Sequence, residues 1–242
     1  MAESNAVKLW DQTLHAAMKL PVVSVDRKEF LSKELSVLCS PDQVQIAIES
    51  KPSDVLTREQ IEKIAKGVIN YHLTVATATS ALAGIPGGWW MAGTIPADLA
   101  QFYGHILALA QKLLYLYGFP DLQENGKLTD EAIQILTLAI GVMSGAKAAI
   151  TGLNKVLNML AEAVVKQLPK LGLTKYGIFV ISKQVAKWLG VKLTTKGFSQ
   201  GVGKLLPLVG APISAALTYW TFRPMAYKFK RYLDGNYDAL KS

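Results

Sequence analysis

Residues 67–97 read GVINYHLTVATATSALAGIPGGWWMAGTIPA, and this stretch decides the fold. It contains thirty-one residues without Asp, Glu, Lys or Arg, whereas a helix that crosses a bilayer needs about twenty apolar residues. Its centre, however, is Gly-Ile-Pro-Gly-Gly at 84–88, and such a cluster ends a helix and turns the chain. The sequence therefore predicts a broken helical hairpin whose turn is formed by Gly84, Pro86, Gly87 and Gly88.

The two arms of this hairpin are short. Leu73 to Ala83 and Trp89 to Ala97 contain eleven and nine residues, so at about 1.5 Å per residue each arm reaches only about half of the hydrocarbon thickness. A re-entrant hairpin or a wholly buried hairpin fits these lengths, and a simple spanning helix does not. Trp89 and Trp90 fit either an anchor at head-group level or a protein core.

Outside the hairpin, the apolar residues follow a 3.6-residue period, which predicts an all-α fold. Helix starts are indicated at Ser40, which precedes Pro41 and Gln43, at Thr57 with Gln60, and at Thr129. We expect polar N-terminal helices over 1–58 and an apolar helical domain over 59–242. The predicted fold is a membrane-associated helical bundle with broken apolar hairpins.

Polar residues recur along the helix predicted after the hairpin. Their three- and four-residue spacings place them on one helical face. In a membrane such a stripe would line a pore or a proton-responsive site. The alternative is that the Asp caps the helix and the His is an ordinary core residue. The stripe consists of Asp98, Gln101, His105 and Lys112.

Small residues recur every fourth position at Gly141, Gly145 and Ala149, which predicts a close helix contact on one helical side. A further apolar stretch, Leu205 to Phe222, has eighteen uncharged residues and is the best single candidate for insertion. Pro207 and Pro212 are expected to break or kink it.

Charge is distributed unevenly along the chain. Residues 163–233 contain twelve Lys or Arg and no acid, and mean hydropathy is positive at +0.23. Lysines set among apolar residues favour an anionic lipid surface, although a solvated lysine face is the better explanation of any single pair. The predicted lipid or polyanion contacts are Lys183, Lys187, Lys192, Lys196, Arg223, Lys228, Lys230 and Arg231.

Three separated motifs resemble the bacterial EcsC family over roughly residues 60–235. They are the 84–88 turn leading into Pro96-Ala97-Asp98, then Gln111-Lys112-Leu113 with Tyr115-Leu116-Tyr117-Gly118, and the stretch 207–213, PLVGAPI. The resemblance implies a helical, membrane-proximal bacterial protein. It transfers no catalytic residue, because that family has no well-established activity.

The sequence predicts no cofactor, metal site or enzyme. His15, His72 and His105 lie outside any recognisable catalytic motif, and Cys39 is the lone cysteine. We expect a protein of the bacterial cytoplasm and the cytoplasmic side of the inner membrane. The leading hypothesis is a homo-oligomer that inserts its hairpins to form or gate a pore, as a regulated effector. Two alternatives are an oligonucleotide- or polyanion-binding helical module, and a soluble core dispersed by its lysines.

Overall fold

The computed structural model describes residues 2–83, 97–162, 173, 177–194 and 210–241. Within these ranges the chain is almost entirely helical, which confirms the all-α prediction. The α-helices are α1 (Ala2–Met18), α2 (Arg27–Leu35), α3 (Pro41–Glu49), α4 (Arg58–Ala83), α5 (Ala97–Leu116), α6 (Asp130–Ser144), α7 (Lys147–Glu162), α8 (Ile178–Thr194), α9 (Gly210–Gly235) and α10 (Tyr237–Lys241). Short 3₁₀ turns cover Pro21–Val23 and Pro52–Asp54.

A small hairpin, β1 (Gln123–Glu124) and β2 (Lys127–Leu128), lies between α5 and α6. Its strands pair antiparallel, with Gln123 opposite Leu128. Asn125 and Gly126 form the turn with φ of 52° and 73°. An Asn-Gly pair adopts this left-handed backbone readily, which explains the tight connection.

The predicted helix starts are confirmed. The Ser40 hydroxyl accepts a hydrogen bond from the backbone N–H of Gln43, and the Gln43 side-chain oxygen accepts one from the backbone N–H of Ser40, which completes a capping box. Thr57 and Gln60 exchange the same pair of bonds. Thr129 caps α6 by accepting from the backbone N–H of Ala132. Each cap satisfies amides that the first turn of a helix leaves without partners.

One hydrophobic core joins the elements. Helix α4 packs against α9 and α5, α6 packs against α7, α8 and α9, and α1 covers α8 and α5. Trp10 of α1 is 1% exposed and belongs to the same core cluster as Ile69 and Phe229. The core is thus continuous across residue 58, while the predicted division into two domains stays a prediction.

Glycine permits the closest helix contact. A Cβ at Gly190 of α8 would collide with the backbone oxygen of Ala6 in α1. A side chain cannot relieve a clash with backbone, so α1 lies this close to α8 only because residue 190 has no Cβ.

The prediction that Gly141, Gly145 and Ala149 share one helical side is wrong. Gly145 has a φ of 89° and ends α6, so Ala149 belongs to the next helix. The left-handed conformation of a C-terminal glycine stops a helix. A Cβ at Gly141 would lie 2.6 Å from the Cβ of Ala149, so these two residues meet where α6 packs against α7 within the chain.

The apolar stretches form longer helices than their sequences predict. The arm that starts at Leu73 continues a helix that begins at Arg58 and is described as far as Ala83. Pro212 does not break α9, because it lies in the first turn, where a missing N–H costs no hydrogen bond. Across the described ranges, none of the helices is both long and apolar enough to cross a bilayer. The turn at 84–88, Trp89, Trp90 and Pro207 lie outside the described residues.

Candidate functional site: a basic face and a buried histidine pair

Helix α8 is amphipathic, as its sequence predicts, but its apolar face is occupied. Ile178, Val185 and Leu189 are buried, and α8 packs against α1, α6 and α7. That face is therefore not the one offered to a membrane. The opposite face carries Lys183 among the exposed side chains of Phe179, Val180 and Val191.

Aromatic rings support three of the predicted cations. The ammonium of Lys183 lies 4.2 Å from the ring centroid of Phe179, and that of Lys192 lies 4.5 Å from Trp188. On α9, the guanidinium of Arg223 lies 5.2 Å from Tyr227. Cation–π contacts hold these side chains near apolar surface while the charge stays accessible.

Lys192 of α8 and Lys228 of α9 both lie at the C-terminal end of α6. Lys192 Nζ donates to the backbone oxygen of Ser144 at 2.9 Å. Burial and then the nearby Lys228 lower the pKa of Lys192. The partial negative charge of a helix C-terminus favours cations there. We define the basic face as Lys183, Lys187 and Lys192 of α8 with Arg223, Lys228 and Arg231 of α9.

Helix α9 adds a large apolar group to this face. Trp220 is 74% exposed and Tyr219 is 41% exposed. Ala216, Trp220, Arg223 and Tyr227 follow the three- and four-residue spacing of one helical side. An indole with this much exposed area next to cations is typical of a surface that contacts another molecule or a lipid interface.

The prediction that Lys230 lies on the surface is wrong. Its side chain is 4% exposed and donates to Asp234 Oδ2 at 2.7 Å, with Glu62 Oε2 of α4 at 3.4 Å. Asp234 also accepts a hydrogen bond from the Tyr117 hydroxyl. Since two residues turn a helix by about 200°, Lys228 and Lys230 point to opposite sides of α9. Lys196 lies outside the described residues.

The predicted polar stripe on α5 is divided between surface and core. Gln101 is exposed, Lys112 is partly buried and His105 is buried. Asp98 lies in the first turn of α5, and its side chain is outside the described part of the chain. The stripe therefore does not form a continuous polar lining over Gln101, His105 and Lys112.

The sequence analysis missed the partner of His105. His105 Nδ1 lies 3.5 Å from Nδ1 of His72 on α4, and the ring centroids are 5.8 Å apart. His72 is fully buried, and its Nε2 has no hydrogen-bond partner within the described part of the chain. We call these two residues the histidine pair.

Burial keeps the histidine pair neutral. It lowers the pKa of His72 to about 3, with Lys112 and His105 adding to the effect. Burial followed by Lys112 also lowers the pKa of His105. The pKa of Lys112 itself is lowered by burial, and its ammonium lies 5.4 Å from the ring of Tyr71 and 5.7 Å from that of Phe30. Positive charge is thus disfavoured at all three side chains.

The described residues contain no group of three or more His, Cys, Asp or Glu side chains with the arrangement of a metal site. Comparisons of the chain with protein-family models, with curated proteins and with solved structures return no match.

Proposed function

We propose that this protein is a peripheral membrane protein that binds anionic lipid through the basic face. The observation that carries the proposal is the exposed indole of Trp220, one helical turn from Arg223 on α9. Each Lys or Arg near an anionic leaflet contributes about 1 kcal/mol of attraction, and Trp anchors at the head-group level. Neither contribution requires a helix to span the bilayer.

The bound protein is proposed to perturb the membrane after this docking step. The short hairpin arms and the Gly84–Gly88 turn that the sequence predicts are suited to entering one leaflet. Oligomerisation on the membrane then forms or gates a pore, under regulation. The resemblance to the EcsC family supports the membrane assignment and supplies no reaction.

Flotation with vesicles tests the docking step. We expect the full-length protein to float with vesicles rich in phosphatidylglycerol and not with pure phosphatidylcholine vesicles. The combined variant Lys183→Gln, Arg223→Gln and Trp220→Ser should bind at least tenfold more weakly. Lys28→Gln with Lys127→Gln removes two exposed cations outside the basic face and is the matched control. Equal binding of wild type and the triple variant would contradict the proposal.

Leakage of a trapped dye tests the second step. Release from phosphatidylglycerol-rich vesicles that rises more steeply than linearly with protein concentration is expected of an assembling pore. Binding without release would leave a docking protein and exclude pore formation.

Polyanion binding is the second candidate function. It is favoured by the absence of any acidic residue over 163–233. Binding to an oligonucleotide should weaken log-linearly with salt concentration, because phosphate contacts release counterions. Tight oligonucleotide binding together with no flotation would favour this candidate over lipid.

A further inference from the structure

The histidine pair joins the two helices that flank the predicted hairpin. His72 lies eleven residues before the end of α4, and His105 lies eight residues after the start of α5. Their Nδ1 atoms are 3.5 Å apart in a buried contact. A neutral pair can share one hydrogen bond here, with one Nδ1 as N–H donor and the other as acceptor. A pair that carries two positive charges cannot.

No carboxylate acts directly on either imidazole among the described residues. The charged group that acts on both imidazoles is Lys112 of α5. Glu34 and Lys33 of α2 act on Lys112. Tyr71 of α4 contacts the His72 ring edge to face at 5.3 Å. Protonation therefore adds like charge to a site that already contains a cation.

The rings around this part of α5 are uncharged. Helix α1 places Trp10 against Tyr103, with ring centroids 5.4 Å apart. Helix α9 places Phe222 against Phe102 at 5.9 Å. Within the described residues of α1 and α9, no charged side chain acts on either imidazole.

Another buried cation shows how this core normally satisfies positive charge. Arg27 donates to the backbone oxygens of Phe119 at 3.1 Å, Ile48 at 2.7 Å and Ser50 at 3.3 Å. By contrast, Nε2 of His72 is buried without any partner. A protonated His72 would gain hydrogen bonds only by reaching water, so α4 and α5 would have to separate there.

Buried side chains of both helices flank the pair on the hairpin side. Beyond His72, the buried side chains of α4 in the described core are Leu73 and Ala76. On α5, Ala100, Phe102 and Tyr103 precede His105 in the core. These side chains are uncharged, so none of them compensates a positive charge on either imidazole.

We propose that the histidine pair is an acid-operated latch, in which protonation separates α4 from α5 around the pair and so allows the protein to perturb the membrane. The proton comes from solvent and adds to an imidazole nitrogen, so no other reactant is needed. The inference rests on the proposed membrane function for its consequence, but the opening itself is a property of the protein without lipid.

Amide hydrogen exchange of the full chain without lipid tests the latch. After correction for intrinsic rates, exchange over 73–83 and 97–105 should be about 30-fold faster at pH 5.0 than at pH 7.5. The factor arises because an exposed His72 is mostly protonated at pH 5.0, which favours the open state, and mostly neutral at pH 7.5. Amides of α2, α3 and α6 should stay protected. Unchanged exchange in the two α4 and α5 segments, or an equal increase in every helix, would overturn the latch.

Two substitutions separate the latch from other acid effects. His72→Phe, combined with His105→Leu, should abolish the increase over 73–83 and 97–105. His15→Gln replaces an exposed histidine of α1 and should leave the increase unchanged. Persistence of the increase in the double variant would contradict the proposal. If the double variant does not fold, exchange in the wild type still tests the latch. An increase confined to 73–83 and 97–105 supports it, and an equal increase in every helix contradicts it.

Vesicles containing phosphatidylglycerol distinguish failure of the latch from failure of the proposed function. Dye release should be at least tenfold faster at pH 5.0 than at pH 7.5. Local opening without flotation at either pH would contradict the proposed membrane function and still support the latch. Flotation and release that do not depend on pH, without local opening, would sink the latch and leave the membrane function.

Discussion

Helix α4 carries two buried polar clusters that differ in how their charge is compensated. At its N-terminal end, Glu62 and Asp234 enclose Lys230, and Tyr117 donates to Asp234. Ten residues later, His72 contacts His105, and Lys112 is the charged side chain that acts on both imidazoles. Among the described residues, no carboxylate acts directly on either imidazole. The first cluster joins opposite charges, whereas the second is stable only while its imidazoles are neutral.

Because of this difference, the contacts that attach the two ends of α4 to their neighbouring helices respond differently to pH. In the Lys230 cluster, Lys230 of α9 forms an ion pair with Glu62 of α4, and this contact joins the two helices. The histidine pair holds α4 to α5 conditionally, because a proton on Nε2 of His72 has no hydrogen-bond partner among the described residues. One end of the helix is a fixed attachment, and the other responds to pH.

Removing Asp234 should have the largest effect on stability. Asp234→Ala leaves Lys230 buried with only the longer Glu62 contact, and we expect the free energy of unfolding to fall by about 3 kcal/mol. Urea unfolding followed by circular dichroism measures it. Asp238→Ala, at an exposed site on α10, is the control and should change little. A loss as small as that of the control would show that the cluster does not hold α4 to α9.

Acid should destabilise the protein through the histidine pair. The pKa of His72 is lowered to about 3 in the folded chain and returns to about 6.5 on unfolding, so the unfolded state takes up protons first. Stability is therefore complete above pH 6.5 and decreases as the pH falls toward 3. The contribution of His72 at pH 5 is a loss of about 2 kcal/mol relative to pH 8.

Urea unfolding at pH 5 and pH 8 measures this loss, and His72→Phe isolates it from the carboxylates. The difference between the two pH values should shrink by about 2 kcal/mol in that variant. His15→Gln should keep the full difference. If wild type and His72→Phe lose stability equally on acidification, the contrast between the two clusters is wrong.

A substitution between the clusters should sharpen the comparison by stabilising α4 without touching either of them. Gly67 is exposed in the middle of the helix, and a Cβ there meets nothing within 4 Å. Gly67→Ala should raise the free energy of unfolding by about 0.5 to 1 kcal/mol. Its matched counterpart is Gly190→Ala, which must lower stability because the Cβ would collide with Ala6. Destabilisation by Gly67→Ala would contradict the open surroundings of that site.

Local signals predicted much of the fold. The capping residues Ser40, Thr57 and Thr129 start helices where their patterns place them, because a cap depends on residues three positions apart. Gly145 shows the limit of a spacing rule. The same four-residue interval that suggests a helix face also occurs when a glycine ends one helix and the next begins.

Long-range packing explains what the sequence could not show. Lys230 is next to exposed cations in sequence, and only the contact with Glu62, 168 positions away, makes it a core residue. The histidine pair joins residues 33 positions apart. A signal for it was present, because a hairpin with its turn near Gly84–Gly88 brings positions on the two arms to similar depths. Whether the side chains of Phe179, Val180 and Val191 are exposed depends on which side of α8 packs against the core.

The depth of α9 on a membrane tests the basic face most directly. A nitroxide at Thr221→Cys, in a Cys39→Ser background, keeps Trp220 and reports from an exposed position beside it. On phosphatidylglycerol-rich vesicles we predict that its collisions with oxygen increase and those with a water-soluble nickel chelate decrease. The same label at Glu124→Cys, on the exposed β-turn, should not change. Unchanged accessibility of the label at 221, with the protein bound to the vesicles, would contradict the account.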